Sequence, residues 1–308
     1  MQSATYNLTV DEAAAGERLD RYVARALPEL SRSYAQQLIV DAQITVNGRP
    51  ARASLGLRAG DLVSVAVPPP QPVDLVPEAI PLEIVYEDAD VVVVDKPAGM
   101  VVHPAPGHPG GTLVNALLAR YPDMQVSGDL RPGIVHRLDA GTSGLLVVAR
   151  HDAALHDLAD QQRARQMRKI YLAVVEGHFK DVEGVIDAPV GRHPVDRLRM
   201  AVVRTGRSAR THYRVIEELG GYTLLELRLE TGRTHQIRVH LQHISRPVLG
   251  DPLYGARKGR PSFGLDRQFL HAQQLGFRLP GNGWREFSSP LPADLQAALM
   301  KLRAAVGI

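Results

Sequence analysis

The chain of 308 residues contains no cysteine. Disulfides, thiolate catalysis and cysteine-ligated zinc are therefore excluded, and the composition fits a reducing compartment, so we expect a cytoplasmic protein. The sequence has no apolar run near about eighteen residues and no charged-then-apolar leader, so we expect neither a membrane span nor a secretion signal. Hydrophobic residues make up 44% of the chain, which is enough for one large or two ordinary domain cores.

Lysine is also scarce, since it occurs only at positions 96, 169, 180, 258 and 301. Almost all of the positive charge is therefore carried by arginine, whose planar fork grips phosphate and stacks on bases. Residues 192–214 contain seven arginines against one acid, Asp196. An ordinary solvated surface remains an alternative, but the absence of compensating acids favours an RNA-binding face.

Proline is concentrated in the stretch "PPPQPVDLVP", residues 68–77. Prolines of this density stop both helices and sheets and favour an extended, semi-rigid connector. We therefore predict a linker over residues 68–80, which separates a small domain (1–67) from a large one (81–308).

The small domain is predicted to contain two helices and a hairpin. Apolar residues from Leu19 to Leu27 recur at helical spacing, a second helix is predicted over 32–41, and Asn47-Gly48 is typical of a tight hairpin turn. Together with a strand over 62–67, residues 17–67 resemble the S4 RNA-binding domain. The resemblance implies phosphate contacts from its arginines, among them Arg18 and Arg32.

The large domain is predicted to be α+β, with a mainly antiparallel sheet. Strands are expected over residues 82–86, 91–95, 133–135, 145–149, 169–176, 209–217 and 222–229, and helices over 112–121, 151–167 and 294–305.

One motif, "HRLD" at 136–139, lies between two of these predicted strands. On an extended backbone Arg137 and Asp139 share one face, and His136 and Leu138 share the other. Such an aspartate can face a cleft while its backbone stays fixed. A surface Arg–Asp ion pair on a hairpin explains the spacing equally well.

Two further stretches are rich in polar groups. Residues 229–255 contain Arg233, His235 and Arg238 between apolar segments, which makes a poor core and a plausible site wall. Their histidines do not have the spacing of a metal site, and no cysteine supports one, so we expect no metal. In "RQMRKIYLAVVEGH", Arg168 and Tyr171 lie on a strand, where Tyr171 is either a half-buried strand residue or a surface for a flipped base.

Taken together, "GIVHRLD…TSGLLVVAR", "RKIYLAVVEGH", "LETGRTHQIRVHLQHISRPVLGDPLYG" and "LHA" resemble the RluA-type pseudouridine synthases, in particular members with an N-terminal S4 domain. The resemblance implies that Asp139 is the catalytic aspartate, with Arg238 as its cationic partner and Tyr171 against the target base. Arg137 would replace the flipped uridine in the helix, and Leu270 would line the pocket. The RNA-binding candidates are Arg137, His136, Arg233, His235, Arg168, Arg18 and Arg32.

The implied reaction isomerises uridine to pseudouridine, which needs no cofactor because no atoms enter or leave. The implied partner is large-subunit ribosomal RNA, at the helix 69 stem-loop of 23S rRNA, or the pre-ribosomal 50S particle, bound by a monomer. Two alternatives stay open: a non-catalytic rRNA-binding or ribosome-assembly protein, and a synthase that acts on tRNA. Ala140 and Gly141 follow "HRLD" where family members carry a basic residue and an acid, which affects loop contacts with RNA.

Overall fold

The structure, a computed structural model, describes residues 4–27, 30, 32–67, 75–104, 108–124, 132–196, 199–255, 262–279, 281 and 283–307, apart from the side chains of residues 32, 33, 34 and 37. The chain forms two compact units, Met1–Asp74 and Leu75–Ile308. Most of the predicted linker (68–74) lies outside the described residues, so its bounds stay a prediction. Among the helices described, none is long and apolar enough to cross a membrane.

The first unit, as far as it is described, is a four-stranded antiparallel sheet with two helices. Its elements are β1 (Ala4–Thr9), α1 (Leu19–Ala26), α2 (Arg32–Val40), β2 (Ile44–Val46), β3 (Arg49–Pro50) and β4 (Leu62–Val67), with the sheet order β1-β4-β2-β3. Asn47 and Gly48 both have positive φ, as the tight turn between β2 and β3 requires. No sequence pattern above predicts β1, which pairs with β4 along its full length.

The second unit is built on a sheet that has nine strands in the described residues. Its strands are β5 (Glu83–Glu87), β6 (Val91–Lys96), β7 (Ser143–Ala149), β8 (Arg168–Glu176), β9 (Glu183–Asp187), β12 (Arg210–Leu219), β13 (Tyr222–Leu229), β14 (Leu270–Leu279) and β15 (Gly283–Ser288), while β10 (Val190–Arg192) and β11 (Met200–Val202) form a separate pair. The sheet order is β5-β6-β7-β14-β8-β13-β12-β9, with β15 on β14. Its pairs are antiparallel except β7 with β14, so the predicted α+β class with a mainly antiparallel sheet is confirmed.

Helices cover both faces of the middle of this sheet. They are α3 (Leu113–Arg120), α4 (Asp152–Arg163), α5 (Gln236–His243) and α6 (Ala293–Val306). Because alternate side chains of a strand point to opposite faces, Val92 and Val94 of β6 share a core with α3, whereas Val91 and Val93 share another with α4. Burial on both faces explains the continuous apolar runs of β6 and β7.

The predicted strand over residues 133–135 is wrong. Ile134 forms a single bridge with Val148 of β7, and the chain then leaves the sheet through residues 135–142. Gly133 has φ +73°, and its backbone lies close to that of Ala149. A Cβ atom at this position would be 2.2 Å from the Ala149 carbonyl oxygen. Residues 133–136 therefore lie beside the last three residues of β7, and "HRLD" leads from there to the turn before Ser143, where β7 begins.

Gly144 is where β7 meets β14, and we predict that Gly144→Ala destabilises the second unit by about 2–5 kcal/mol. Gly144 has φ +112°, and a Cβ at this position would lie 2.3 Å from the carbonyl oxygen of Ala272. Gly99 is the matched control because its φ is +88° but nothing lies within 4 Å of its Cβ position. Chemical denaturation of Gly144→Ala and Gly99→Ala separates the cost of the contact with Ala272 from the cost of the backbone strain. Equal losses of unfolding free energy in the two variants would show that the contact costs nothing.

Candidate active site

A cavity of about 450 Å³ opens in the second unit beside β8 and the start of α5. Three stretches of chain supply its walls: the loop before β7, strand β8, and the segment that leads into α5. The predicted site residues that line it are His136, Arg137, Asp139, Tyr171, Arg233, His235, Arg238 and Leu270. Residues separated by more than a hundred positions are therefore brought to one place.

The backbone around Asp139 is held by hydrogen bonds on both sides. The N–H of Thr142 donates to the Asp139 carbonyl oxygen at 3.0 Å, and the N–H of Gly99 donates to the Ala140 carbonyl oxygen at 2.8 Å. The ammonium group of Lys96 donates to the same Ala140 oxygen and to the carbonyls of Pro97 and Met100. Asp139 is consequently presented to the cavity from a rigid turn.

Lys96 is a residue that no sequence argument above singled out. Its side chain is fully buried, and that burial lowers its pKa to about 7, an effect that the charge of Asp139 opposes. Its signal in the sequence was the charged pair Asp95-Lys96 at the end of an apolar strand. Its role here is to fix the loop that carries Asp139.

Arg238 forms the electrostatic centre of the site. Nε and Nη2 of Arg238 donate to the two oxygens of Asp251 at 2.7 and 2.8 Å, and Nη1 donates to Oδ2 of Asp139 at 2.9 Å. Burial by itself lowers the pKa of Arg238, but the hydrogen bonds and charges of Asp251 and Asp139 outweigh it and raise that pKa. The predicted partner of Asp139 thus lies in contact with it, and its own anchor, Asp251, is a further residue that the sequence did not reveal.

Tyr171 projects from β8 into the cavity and is almost completely buried. Burial raises its pKa, and the negative charge of Asp139 raises it further, so the hydroxyl stays protonated. Leu270 opens β14, the neighbour of β8 in the sheet, and is also buried. The cavity therefore has an aromatic and apolar wall next to the Asp139 carboxylate, which suits the flat face of a base.

Arg137 and Arg233 carry positive charge on the cavity wall. Arg137 is exposed, and within the described structure its guanidinium makes no hydrogen bond or ion pair. Arg233 donates through Nε to the Ser208 carbonyl oxygen, and burial together with the nearby charges of Arg207 and Arg165 lowers its pKa. Arg137 and Arg233 have no carboxylate partner among the described residues, and such guanidinium groups are suited to phosphate.

His136 lies on the cavity wall, but its imidazole is hydrogen-bonded to the backbone of β7. Its Nε2 accepts a hydrogen bond from the N–H of Val147 at 3.2 Å. Burial lowers its pKa to about 3, and the charge of Lys169 contributes in the same direction. The imidazole is therefore neutral at physiological pH and offers no positive charge to RNA.

This pKa predicts that His136 makes the protein acid-sensitive. Between about pH 6.5 and pH 3 the unfolded chain takes up a proton that folded His136 does not, so stability falls as pH falls, by up to about 1.4 kcal/mol per unit. His136→Gln keeps an acceptor for Val147 but has no such titration. We expect the stability difference between wild type and this variant to shrink or reverse from pH 7.5 to pH 5 in urea titrations. Parallel pH profiles would contradict the assignment.

The remaining predicted RNA contacts are Arg168, Arg18 and Arg32. Arg168 forms an ion pair with Glu286 of β15, 3.1 Å long. Arg18 pairs with Asp20 in the first unit at 3.0 Å. The side chain of Arg32 lies outside the described residues. Among the described residues, no group of three or more His, Asp or Glu side chains is placed to hold a metal ion.

Comparison with known proteins identifies the family. Residues 90–243 match the family described as RNA pseudouridylate synthase, and residues 17–63 match the S4 domain. An uncharacterized RNA pseudouridine synthase of Chloroflexus aurantiacus is 59% identical, with 96% of this chain and 93% of that protein aligned. The ribosomal large subunit pseudouridine synthase D of Xanthomonas campestris is 45% identical, with 98% and 94% aligned.

A solved structure agrees with these relatives. The human RNA pseudouridylate synthase domain containing 4 is 27% identical with a TM-score of 0.57, over 72% of this chain and 93% of that one. The chain therefore belongs to the RNA pseudouridine synthase family. Its activity is the isomerisation of uridine to pseudouridine in RNA, and the resemblances to this family and to the S4 domain are confirmed.

Proposed function

We propose that this enzyme isomerises uridines of large-subunit ribosomal RNA and that Asp139 is its catalytic aspartate. The observation that carries the proposal is the Asp139 carboxylate itself: Arg238 holds one of its oxygens at 2.9 Å, and Asp139 lines a cavity that Tyr171 also lines. The buried guanidinium of Arg238 orients this carboxylate and places a positive charge beside it, whether Asp139 acts as nucleophile or as base.

The reaction breaks the bond between N1 and C1′, turns the base, and joins C5 to C1′. A target uridine inside a helix must first leave the stack, which costs a few kcal/mol. The exposed guanidinium of Arg137, which has no ion-pair partner among the described residues, lies at the cavity wall two residues before Asp139, where it can enter the vacated place in the stack. Tyr171 and Leu270 supply the surface on which the extruded base rests.

The choice of RNA rests on the relatives and on the S4 domain. Relatives from Xanthomonas campestris, Nitrosomonas europaea and Yersinia pestis, 43–47% identical to this chain, carry the name ribosomal large subunit pseudouridine synthase D. An S4 domain gives the enzyme a second unit with which to hold structured RNA. The sequence resemblance points to the helix 69 stem-loop of 23S rRNA, which makes that stem-loop the first substrate to test.

The test is tritium release from RNA labelled at uridine C5, because the hydrogen on C5 is lost when C5 bonds to C1′. We expect release from large-subunit rRNA or its precursor particle, with the modified positions in the helix 69 stem-loop. Bulk tRNA labelled in the same way is the comparison substrate. Release from tRNA alone would refute the rRNA assignment, and release from rRNA at other positions would refute helix 69.

Arg233 is expected to bind a phosphate of this RNA, together with Arg207 on the same wall. Arg233→Gln should therefore weaken RNA binding and reduce the slope of log affinity against log salt by about 1. Arg303→Gln is the matched control, since it removes the same charge from α6, where Arg303 pairs with Glu217 and lies outside the cavity. Equal salt slopes for the two variants would show that Arg233 contacts no phosphate.

A further inference from the structure

His235 occupies an unusual backbone position at the cavity wall. It is the residue before α5, and its φ of 56° and ψ of 19° lie in the left-handed region, which few residues other than glycine adopt. Strained conformations of this kind are retained where they place a side chain for function. In this conformation Nε2 of His235 lies 3.9 Å from Oδ1 of Asp139.

Tyr254 determines which nitrogen of His235 carries the proton. The Tyr254 hydroxyl lies 2.8 Å from Nδ1 of His235 and accepts a hydrogen bond from the N–H of Met200 at 2.7 Å. Burial raises the pKa of Tyr254, so the hydroxyl keeps its proton, and Nδ1 is the acceptor available to it among the described residues. Nδ1 therefore accepts, and in the neutral ring the proton is on Nε2.

The ring is neutral because burial lowers the pKa of His235, an effect that the Asp139 carboxylate only partly opposes. Tyr254 is itself fixed: it is 1% exposed, and the guanidinium groups of Arg199 and Arg238 lie 5.1 and 5.0 Å from its ring centre. The cavity thus contains a pre-oriented N–H donor beside the carboxylate.

The space between this donor and Asp139 suits a hydroxyl group. Arg238 occupies Oδ2 of Asp139, whereas Oδ1 receives no hydrogen bond from the described residues. At 3.9 Å the two atoms are too far apart for a direct hydrogen bond. A hydroxyl oxygen placed beside both can accept from Nε2 and donate to Oδ1. In RNA the hydroxyl nearest the bond that breaks is the 2′-hydroxyl, which both donates and accepts.

We infer that His235, held by Tyr254 with its proton on Nε2, donates a hydrogen bond to the 2′-hydroxyl of the flipped nucleotide and so makes the site select ribose over deoxyribose. The inference rests on the proposed function, because it places the target sugar beside Asp139. His235 recognises substrate here, in addition to any contact that it makes with the rest of the RNA.

The first test needs no substrate. ¹⁵N-labelled imidazoles report which ring nitrogen is protonated, and the loss of one set of signals in His235→Asn assigns His235. Asn is chosen because it tolerates the left-handed conformation and its amide is too short to reach Asp139. We expect the Nε2–H form in wild type and a mixture of both forms in Tyr254→Phe. A proton on Nδ1 in the wild-type enzyme overturns the inference.

The second test compares uridine with 2′-deoxyuridine at the modified position of one RNA. The ratio of their kcat/KM values is measured for each variant and compared with the ratio for wild type, because the intrinsic effect of the sugar is the same for every enzyme and cancels. If the deoxy RNA is not isomerised, its inhibition constant is used in place of kcat/KM. In His235→Asn the preference for ribose should fall about tenfold, or about 1.4 kcal/mol. His243→Asn, at the exposed end of α5, should leave it unchanged.

An equal loss on both RNAs in His235→Asn would reduce His235 to a structural role and overturn the inference. Failure of the proposed function gives a different pattern. If Asp139 is not catalytic, Asp139→Asn still isomerises uridine. The proton position on His235 and the ribose preference are measured on enzymes that retain Asp139, so they do not depend on that result.

Discussion

Asp139→Asn is expected to reduce uridine isomerisation by at least about a thousandfold, because an amide is neither a nucleophile nor a base. The substitution is nearly isosteric, so the cavity keeps its shape. Arg238 does not become an unpaired buried charge, since Asp251 still binds two of its nitrogens. The measurement is single-turnover tritium release at saturating enzyme, which isolates the chemical step from binding.

Two controls make this result specific. The urea midpoint of Asp139→Asn should stay close to that of wild type, and its affinity for the RNA should change little, because most of the binding energy comes from phosphate contacts elsewhere. An active Asp139→Asn enzyme would refute the catalytic assignment. An inactive enzyme that has also lost RNA binding or stability would leave the carboxylate without a demonstrated chemical role.

The parts of the fold that the sequence predicts are those whose burial pattern repeats locally. Strands β6, β7, β8 and β13 and helix α6 fall within one or two residues of their predicted bounds, because unbroken apolar runs or one clear apolar stripe define them. Helix α5 lacks such a stripe. Its apolar residues Ile237, Val239 and Leu241 alternate as in a strand, while Gln236, Arg238 and His240 between them are buried polar groups.

Buried polar residues can be accommodated in α5 because the tertiary structure satisfies them. The Gln236 amide binds Thr231, Thr211 and two backbone groups, and His240 binds Thr211 and the Ala188 carbonyl. Such partners lie up to 52 positions away in the sequence, so no local pattern reveals them. The helix that supplies Arg238 and follows His235 is therefore an element that sequence periodicity does not predict.

In the site too, sequence motifs predict some residues, whereas others are revealed only by the tertiary structure. The "HRLD" motif and the polar stretch 229–255 both line the cavity, but their spacing did not distinguish a site from a surface ion pair. The contact between Asp139 and Arg238 spans 99 positions. Three residues position the site without contacting substrate: Asp251 holds Arg238, Lys96 holds the loop that carries Asp139, and Tyr254 holds His235. Their importance is visible only once burial and hydrogen bonds are known.

Arg238→Gln is expected to lower the rate of isomerisation by at least about a hundredfold and to destabilise the second unit by about 3–5 kcal/mol. Both effects follow from one guanidinium that serves two carboxylates. Asp251 is fully buried at its side chain, so loss of Arg238 leaves a buried charge whose remaining partners among the described residues are the N–H groups of Leu253 and Tyr254. Asp139 loses the cation that holds its Oδ2. Urea titration and single-turnover tritium release measure the two effects separately.

The double variant Arg238→Gln with Asp251→Asn separates the two roles of Arg238. Neutralising Asp251 removes the uncompensated buried charge, so most of the lost stability should return, because a neutral hydrogen-bonded pair replaces a broken ion pair. Activity should stay low, since Asp139 still lacks its cationic partner. Recovery of activity along with stability would show that Arg238 serves only to fold the site, and that Asp139 does not need a cationic partner.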